Sequence, residues 1–300
     1  MSVGIYVQNF DQIQPWGASH FVTFSFQRNL LASNPKRTVT SRSMSWERKM
    51  QGYIDNLQSL NDTVQGSKEW LEARRCRLTA SNFRAIAKMC AAISPKNTIK
   101  SFFYNPLKGN VATAYGQEQE RPTEAEFVDG FVSRGACEIS VAHTGLGGVE
   151  RERALVASPD GIVCCHPGSS DYPIVEYKTA KMLVDQQITV DDTIGGIKDF
   201  PVTFVDDRRS YELKRSHNFF YQVQWVMAAT GISHAAFVIR GAKKSMAVAW
   251  VQFDEDFFHQ CVVKLRRFYY EAVLPELVHP LMNVSGPRPY LVEWKYDDIH

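Results

Sequence analysis

Paired cysteines are missing from this 300-residue chain. Its six cysteines (Cys76, Cys90, Cys137, Cys164, Cys165 and Cys261) form no Cys-x-x-Cys pair and no zinc-finger spacing, which argues against a zinc ribbon and a four-cysteine iron–sulfur cluster. Cys164 and Cys165 adjoin in a strand-like run, so their side chains diverge. The set is expected to be reduced and buried, as in an intracellular protein. No apolar run approaches a membrane span. The opening Met1-Ser2-Val3-Gly4-Ile5-Tyr6 has neither the basic start nor the apolar run of a secretory signal. An intracellular location is therefore expected, the nucleus in a eukaryote and the cytoplasm otherwise. Excess charge is absent too: 34 Lys and Arg against 32 Asp and Glu leave a net +2. That excludes a histone-like polycation, so any nucleic-acid surface must come from local clustering. Thr144 to Val149, TGLGGV, lacks the lysine and spacing of a phosphate-binding loop. No Ser-His-Asp or Cys-His constellation is better supported than the acidic set described below.

What the chain does have is apolar content of 44% and 12% aromatics, enough for one large α/β domain with an appended arm. Residues 1–43 read as an N-terminal extension, 44–279 as the folded domain and 280–300 as a tail. The stretch 157–178, ASPDGIVCCHPGSSDYPIVEYK, reads as a β-hairpin: two apolar runs around a segment dense in turn formers. Alternation puts Glu176 and Lys178 on one face, and Val175 and Tyr177 on the other. Antiparallel pairing then brings Asp160 near Glu176 and Lys178. Two carboxylates and an amine at one end of a hairpin suit a hard divalent cation, with the lysine able to orient a water or offset charge on phosphorus. A surface hairpin with a Glu176–Lys178 ion pair is the plainer alternative from these residues alone.

Three further blocks accompany the hairpin. Ser67 caps a short helix bearing Trp70, Leu71 and Arg74, and Thr79-Ala80-Ser81-Asn82 opens a second. Arg74, Arg75 and Arg77 ahead of that N-terminus suit an anion. Residues 111–132 read as a helix with an acidic face, on which Glu118 and Glu120 lie two apart and cannot share one side. Pro122 predicts a bend or a fresh start near Arg121. Residues 217–229 form a helix stopped by Gly231, with Phe220, Val223 and Met227 on its apolar face and Gln222 beside it. Strands are expected over 137–142, 153–157, 235–239 and 246–253, and a surface excursion over 179–207. A Ser45-capped helix precedes these blocks, and an amphipathic one covers 254–274.

In order, Trp70-x3-Arg74-x3-Leu78-Thr79-Ala80-Ser81, Gly116-x3-Glu120, Ser158-Pro159-Asp160-Gly161, Glu176-Tyr177-Lys178 and Phe220-Tyr221-Gln222-Val223-Gln224 resemble the YqaJ-type viral recombinase family, which includes lambda exonuclease, within the PD-(D/E)XK nucleases. The resemblance implies an α/β fold with a restriction-endonuclease-like core, a central mixed sheet flanked by helices. It implies a metal-dependent 5′→3′ exonuclease on linear duplex DNA with a 5′-phosphate, acting in recombination and repair. A same-fold endonuclease and a non-cutting DNA-binding protein are the alternatives. Asp160, Glu176 and the Tyr177 carbonyl would hold one or two Mg²⁺ or Mn²⁺ ions, with Glu120 at the second position. Lys178 would orient or activate water, and Gln222 would edge the site. Arg74, Ser81 and Ser158 would bind the 5′-phosphate. Implied partners are the DNA end, a single-strand annealing or recombination protein, and further copies of the chain. One departure from the family pattern, Arg121 standing between Glu120 and Pro122, leaves Glu118 as the alternative to Glu120.

Overall fold

The computed structural model describes residue 48 and residues 63–74, 77–89, 94–104, 111–132, 139–149, 154–164, 172–193, 197 and 199–280. The expected N-terminal arm, the Ser45 helix and all of the tail beyond Pro280 lie outside the described residues.

The β-branched run that ends in the acidic motif forms β6 (Ile174–Thr179), and β5 (Gly161–Cys164) pairs with it antiparallel, Gly161 facing Val175 and Ile162 facing Ile174. A Cβ on Gly161 would stand 2.2 Å from Val141 Cγ1. The missing side chain is what lets β2 (Ser140–Ala142) lie against the hairpin. On the far side β6 runs parallel to β9 (His234–Arg240), which turns back through β10 (Met246–Gln252). The sheet order is β2-β5-β6-β9-β10-β8-β7, with β7 at Val202–Val205 and β8 at Ser210–Leu213. The result is a mixed α/β fold whose large mixed sheet is flanked by helices.

Strand alternation decides which helix meets which residue. Ile174, Phe237, Ile239, Ala247 and Ala249 share a core with helices α6 (Asn218–Thr230) and α7 (Glu255–Arg267). Val175, Tyr177, Ala236, Val238 and Val248 pack instead with Phe127 of α4 (Val111–Val132). Glu176 and Lys178 have the parity of Ile174, so they point toward α6. Ala235 to Ile239 are all buried, as expected of a strand covered on both faces. Phe83 of α2 (Phe83–Ala87) is fully buried, and the rings of Tyr221, Trp225 and Phe258 meet it edge-on at 5.1–5.8 Å. Farther off, α3 (Lys96–Ile99) runs into a π-helical turn whose Tyr104 hydroxyl donates to Glu276 of α8 (Leu274–Val278) at 2.6 Å.

Three expectations change. Residues 153–157 do not flank the hairpin: β4 (Leu155–Ala157) lies between β1 (Leu78–Thr79) and β3 (Gly147–Gly148) in a separate three-stranded sheet. The stretch 179–207 is not simply an excursion, since it contains α5 (Lys181–Asp185) and β7, which pairs with β8 at the sheet edge. Nor does a fresh helix start near Arg121: α4, 22 residues long, runs through Pro122 without interruption. Contacts on both sides outweigh the proline's cost of about 3 kcal/mol: Gln119 and Glu126 both bond Arg240, and Phe127 packs on Tyr177.

Asp254 starts α7, its Oδ1 accepting from Phe257 N at 2.9 Å, while Oδ2 pairs with Arg215. Arg215's hydrogen bond, then that of the Phe257 amide, holds this carboxyl below its ordinary value. Asp254→Ala is expected to cost about 1 kcal/mol at neutral pH, as loss of an N-cap does. A carboxyl depressed in the fold stabilises above its unfolded pKa and loses that effect as pH falls through the folded value. The deficit should therefore close on acidification below the ordinary aspartate value of 3.8, and thermal melts of both proteins across that range check it.

Candidate active site

At the mouth of the hairpin, Asp160 Oδ2 accepts from the Tyr177 backbone N–H at 2.8 Å. That bond ties the corner preceding β5 to the middle of β6. Lys178 Nζ then lies 3.1 Å from Glu176 Oε2, 2.9 Å from the Tyr177 carbonyl oxygen and 3.6 Å from Asp160 Oδ2. Three oxygens, from Asp160 and from the adjacent Glu176 and Tyr177, thus converge on one ammonium. Gln222, one turn into α6, donates from Nε2 to Glu176 Oε2 at 2.9 Å. Phe219 of the same helix places its ring 5.6 Å from Lys178 Nζ.

Glu176 is fully buried, and its other oxygen, Oε1, has no hydrogen-bond partner among the described residues. Burial first, and then the Asp160 carboxylate, raises its pKa well above the ordinary value. For Lys178, burial favours loss of the proton, but Asp160 and Glu176 beside it outweigh that, and its pKa ends above the usual lysine value.

Glu120 approaches from α4. Its carboxyl is half-buried and pushed up to about 7, chiefly by burial and next by Asp160. Glu118, two residues away, is exposed. Of the two, Glu120 is the one that senses the hairpin cluster. One neighbour carried no sequence signal. His143, just after β2, has Nδ1 3.1 Å from the Asp160 carbonyl oxygen and Nε2 3.4 Å from Glu124 of α4. A lone histidine in a loop matches no motif, so nothing short of the fold could have found it. Gln224, the other glutamine of the α6 motif, faces away and is buried, bonding the Gln252 carbonyl and the Asp254 amide.

Beside this cluster α1 (Lys68–Arg74) ends with the Arg74 guanidinium 3.9 Å above the Trp70 ring. Trp70 Nε1 donates to Ser158 Oγ at 2.8 Å, fastening α1 to the corner that carries Asp160. Burial lowers the Arg74 pKa to about 10, which leaves it cationic at neutral pH. Ser67 caps the helix as expected, its Oγ accepting from Trp70 N at 3.1 Å. Ser81 joins a hydroxyl cluster with Thr79 and Asn82 at 3.0 Å, and Thr79 lies opposite Val156 in the β1–β4 pairing. Arg77 does not join this surface. It is buried, and its guanidinium donates to the Ala73 carbonyl at 2.6 Å. Arg75 lies outside the described residues.

Could these residues hold a divalent cation? Among the described residues no three Asp, Glu, His or Cys side chains stand together as a ready metal cage. The donors that do converge are two carboxylates and a backbone carbonyl, all oxygen, around a site where a cationic nitrogen already stands. The unpartnered Glu176 Oε1 leaves a further lone pair to be satisfied. That set fits a hard ion such as Mg²⁺, which takes one or two carboxylates and fills its remaining positions with water and phosphate.

Comparison with known proteins places the chain. A family model for the YqaJ-like viral recombinase domain matches residues 69–233, more than half of its length. No curated protein matches it. Among solved structures, the alkaline exonuclease LHK-Exo from Laribacter hongkongensis is 20% identical with a TM-score of 0.49, over 71% of this chain and 94% of that one. LHK-Exo in complex with dAMP gives 18% identity at the same TM-score and coverage. A SOX–DNA complex gives 10% and 0.41, over 75% and 69% of the two chains. At TM-scores below 0.5 these likenesses are partial. The matched span runs from α1 to the end of α6 and takes in Arg74, Glu120, Asp160, Glu176, Lys178 and Gln222, so on the sequence match this chain belongs to the YqaJ-like viral recombinase family.

Proposed function

We propose that this protein is a metal-dependent exonuclease that degrades linear duplex DNA from a 5′-phosphorylated end, preparing ends for recombination. The observation that carries the reading is the convergence of Asp160 Oδ2, Glu176 Oε2 and the Tyr177 carbonyl on one point within 2.9–3.6 Å of Lys178 Nζ. Those three oxygens would hold Mg²⁺ or Mn²⁺, and Glu120 faces the same space for a second ion. When bound, the cation supplies charge neutralisation on the phosphate and a water more acidic than bulk.

The chain's own residues do the rest. Lys178 orients the attacking water and offsets the charge that builds on the phosphate. Gln222 holds Glu176 Oε2 in place, so the carboxylate meets its cation without first reorganising. Arg74, propped on Trp70, offers a forked cation to a terminal phosphate beside Ser158. Ser81 adds a hydroxyl from the turn before α2. Because Trp70 bonds Ser158 and Ser158 stands two residues before Asp160, end recognition and hydrolysis are joined through one corner.

The deciding assay compares 5′-phosphorylated linear, 5′-hydroxyl linear and closed circular duplexes with Mg²⁺. Rapid loss of the first, slow loss of the second and survival of the third are expected. Cutting of the circle would replace this reading with an endonuclease, and no cutting in Mg²⁺ or Mn²⁺ with a DNA-binding protein. Arg74→Ala is expected to reduce the 5′-phosphate preference about 10- to 100-fold, the worth of charge-assisted hydrogen bonds, while leaving 5′-hydroxyl ends cut as before. A preference unchanged in this variant removes the pocket. Gln222→Ala should weaken metal affinity about 10- to 100-fold, as loss of an outer-shell partner does, read from the Mg²⁺ dependence of the rate.

A further inference from the structure

Helix α4 presents two adjacent stripes to the sheet, and they do different things. On one, Glu120 and Glu124 face the hairpin end, with Phe127 packed on the Tyr177 ring at 5.8 Å. The other, rotated by one residue and so by 100°, carries Gln119, Thr123 and Glu126. Its partner is Arg240 at the end of β9, directly opposite Thr179 in the parallel pairing with β6. The guanidinium donates Nε to Glu126 Oε2 at 2.5 Å, one terminal nitrogen to Glu126 Oε1 at 2.8 Å and the other to Gln119 Oε1 at 3.0 Å. Between them Thr123 is fully buried and donates to the Gln119 carbonyl at 2.6 Å. Its single proton is therefore spent, and the Thr179 hydroxyl, 3.1 Å away, must donate to it. Thr179 follows Lys178 directly, so the clamp grips the sheet one residue from the site.

Glu120 has no hydrogen bond of its own among the described residues. The roll and axial position of α4 place it, and Pro122 within this turn has no N–H to help hold that turn's backbone. We propose that Arg240 is the positioning residue for Glu120. Its fork fixes the roll of α4 through Gln119 and Glu126, and so keeps the Glu120 carboxylate turned toward Asp160 and Lys178. This rests on Glu120 serving a cation, as in the function proposed above. The clamp is well suited to the task, because Arg240 and Glu126 side chains are only 14% and 16% exposed. A bidentate pair in that setting specifies both distance and angle, whereas a lysine supplies charge without the fork.

The test is a double-mutant cycle on Mn²⁺ affinity, measured calorimetrically on the whole protein without DNA. Arg240→Ala and Glu120→Ala are each expected to weaken Mn²⁺ binding about 10- to 100-fold. Combined, they should weaken it no more than Glu120→Ala alone, because Arg240 acts only through that carboxylate. Arg240→Lys should restore affinity only in part. Arg240→Ala leaves Glu126 unpaired and can weaken the fold, so Arg240→Gln with Glu126→Gln serves as a charge-neutral version checked by thermal melting. It should show the same loss of affinity with a melting temperature close to wild type. Additive effects of Arg240 and Glu120, or full affinity in the charge-neutral pair, overturn the proposal. A wild type that binds Mn²⁺ with this non-additive cycle yet cuts no DNA overturns the nuclease reading alone and leaves the clamp standing.

Discussion

With a 5′-phosphorylated linear duplex and Mg²⁺, Asp160→Asn is expected to lower the cleavage rate by about 10³-fold or more, the scale on which loss of one preorganised charge in a buried site is felt. Asparagine is the informative replacement. In the proposed function Asp160 has two jobs: Oδ2 accepts from the Tyr177 amide at 2.8 Å, which is structural, and it faces Lys178 and the proposed cation position, which is chemical. An amide oxygen can keep the first bond but brings no charge to the second. The variant should therefore melt close to wild type while losing activity. Lys178→Met should give a loss of the same order by a different route, since Asp160, Glu176 and the Tyr177 carbonyl would then converge on nothing cationic until a metal arrives. Full cleavage by either variant would take the hairpin out of the mechanism. A large drop in melting temperature for Asp160→Asn would instead mean that the Tyr177 bond depends on the carboxylate's charge.

The hairpin was legible in the sequence because its information is local. Turn formers bracket two apolar runs, and the period of two fixes which residues share a face. Glu176 and Lys178 pointing together follows from pleating, and Asp160 across from them from the antiparallel pairing of the two runs. The helix of Gln222 was equally legible, since a 3.6-residue apolar stripe and a glycine stop both lie within 15 residues; Gly231 takes the left-handed conformation that such a stop needs, with φ of 70°. What could not be read depends on pairs distant in sequence. Glu126 and Arg240 are 114 residues apart, and each looks like a solvated charge, one on a helix face and one at a strand end. Trp70 and Ser158 are 88 apart. Pro122 misled for the same reason: its cost is a local quantity, and the contacts that override it come from β6 and β9.

The residues proposed to bind the DNA end show the limit from the other side. Arg74 and Ser158 come together because Trp70 spans them, so a tryptophan that reads as core has one edge in a polar contact. Arg77 looked equivalent to Arg74 by composition, and only the packing of α1 separates them. Arg74 is half-buried over the Trp70 face, and Arg77, three residues on, is buried against the Ala73 carbonyl. A basic cluster in sequence is thus divided by the fold between a guanidinium stacked on a ring and one spent on the backbone.

Glu176→Gln should abolish cleavage and, in metal-free protein, raise stability. Glu176 is a fully buried carboxylate with one oxygen held by Lys178 and Gln222 and the other unpartnered among the described residues. A buried charge that is only half satisfied costs stability. Glutamine keeps an acceptor for both donors and removes the charge, while Lys178 retains Asp160 and the Tyr177 carbonyl. The gain should be about 1–3 kcal/mol, or roughly 2–4 °C in melting temperature per kcal/mol for a domain of this size. Its pH dependence has a definite sign. A carboxyl whose folded pKa is raised binds more protons in the fold than in the unfolded chain, so wild-type stability falls as pH climbs from the ordinary glutamate value of 4.5 toward about 8. The advantage of Glu176→Gln in EDTA should widen over that window and vanish below it. Adding Mg²⁺ should then narrow or reverse the gap, because a ligand that binds only the native state stabilises it by mass action, and only the wild type keeps the carboxylate to bind it. A variant less stable than wild type in EDTA at pH 8 would show that Lys178 and Gln222 already satisfy Glu176, and that the site needs no cation to balance its charge.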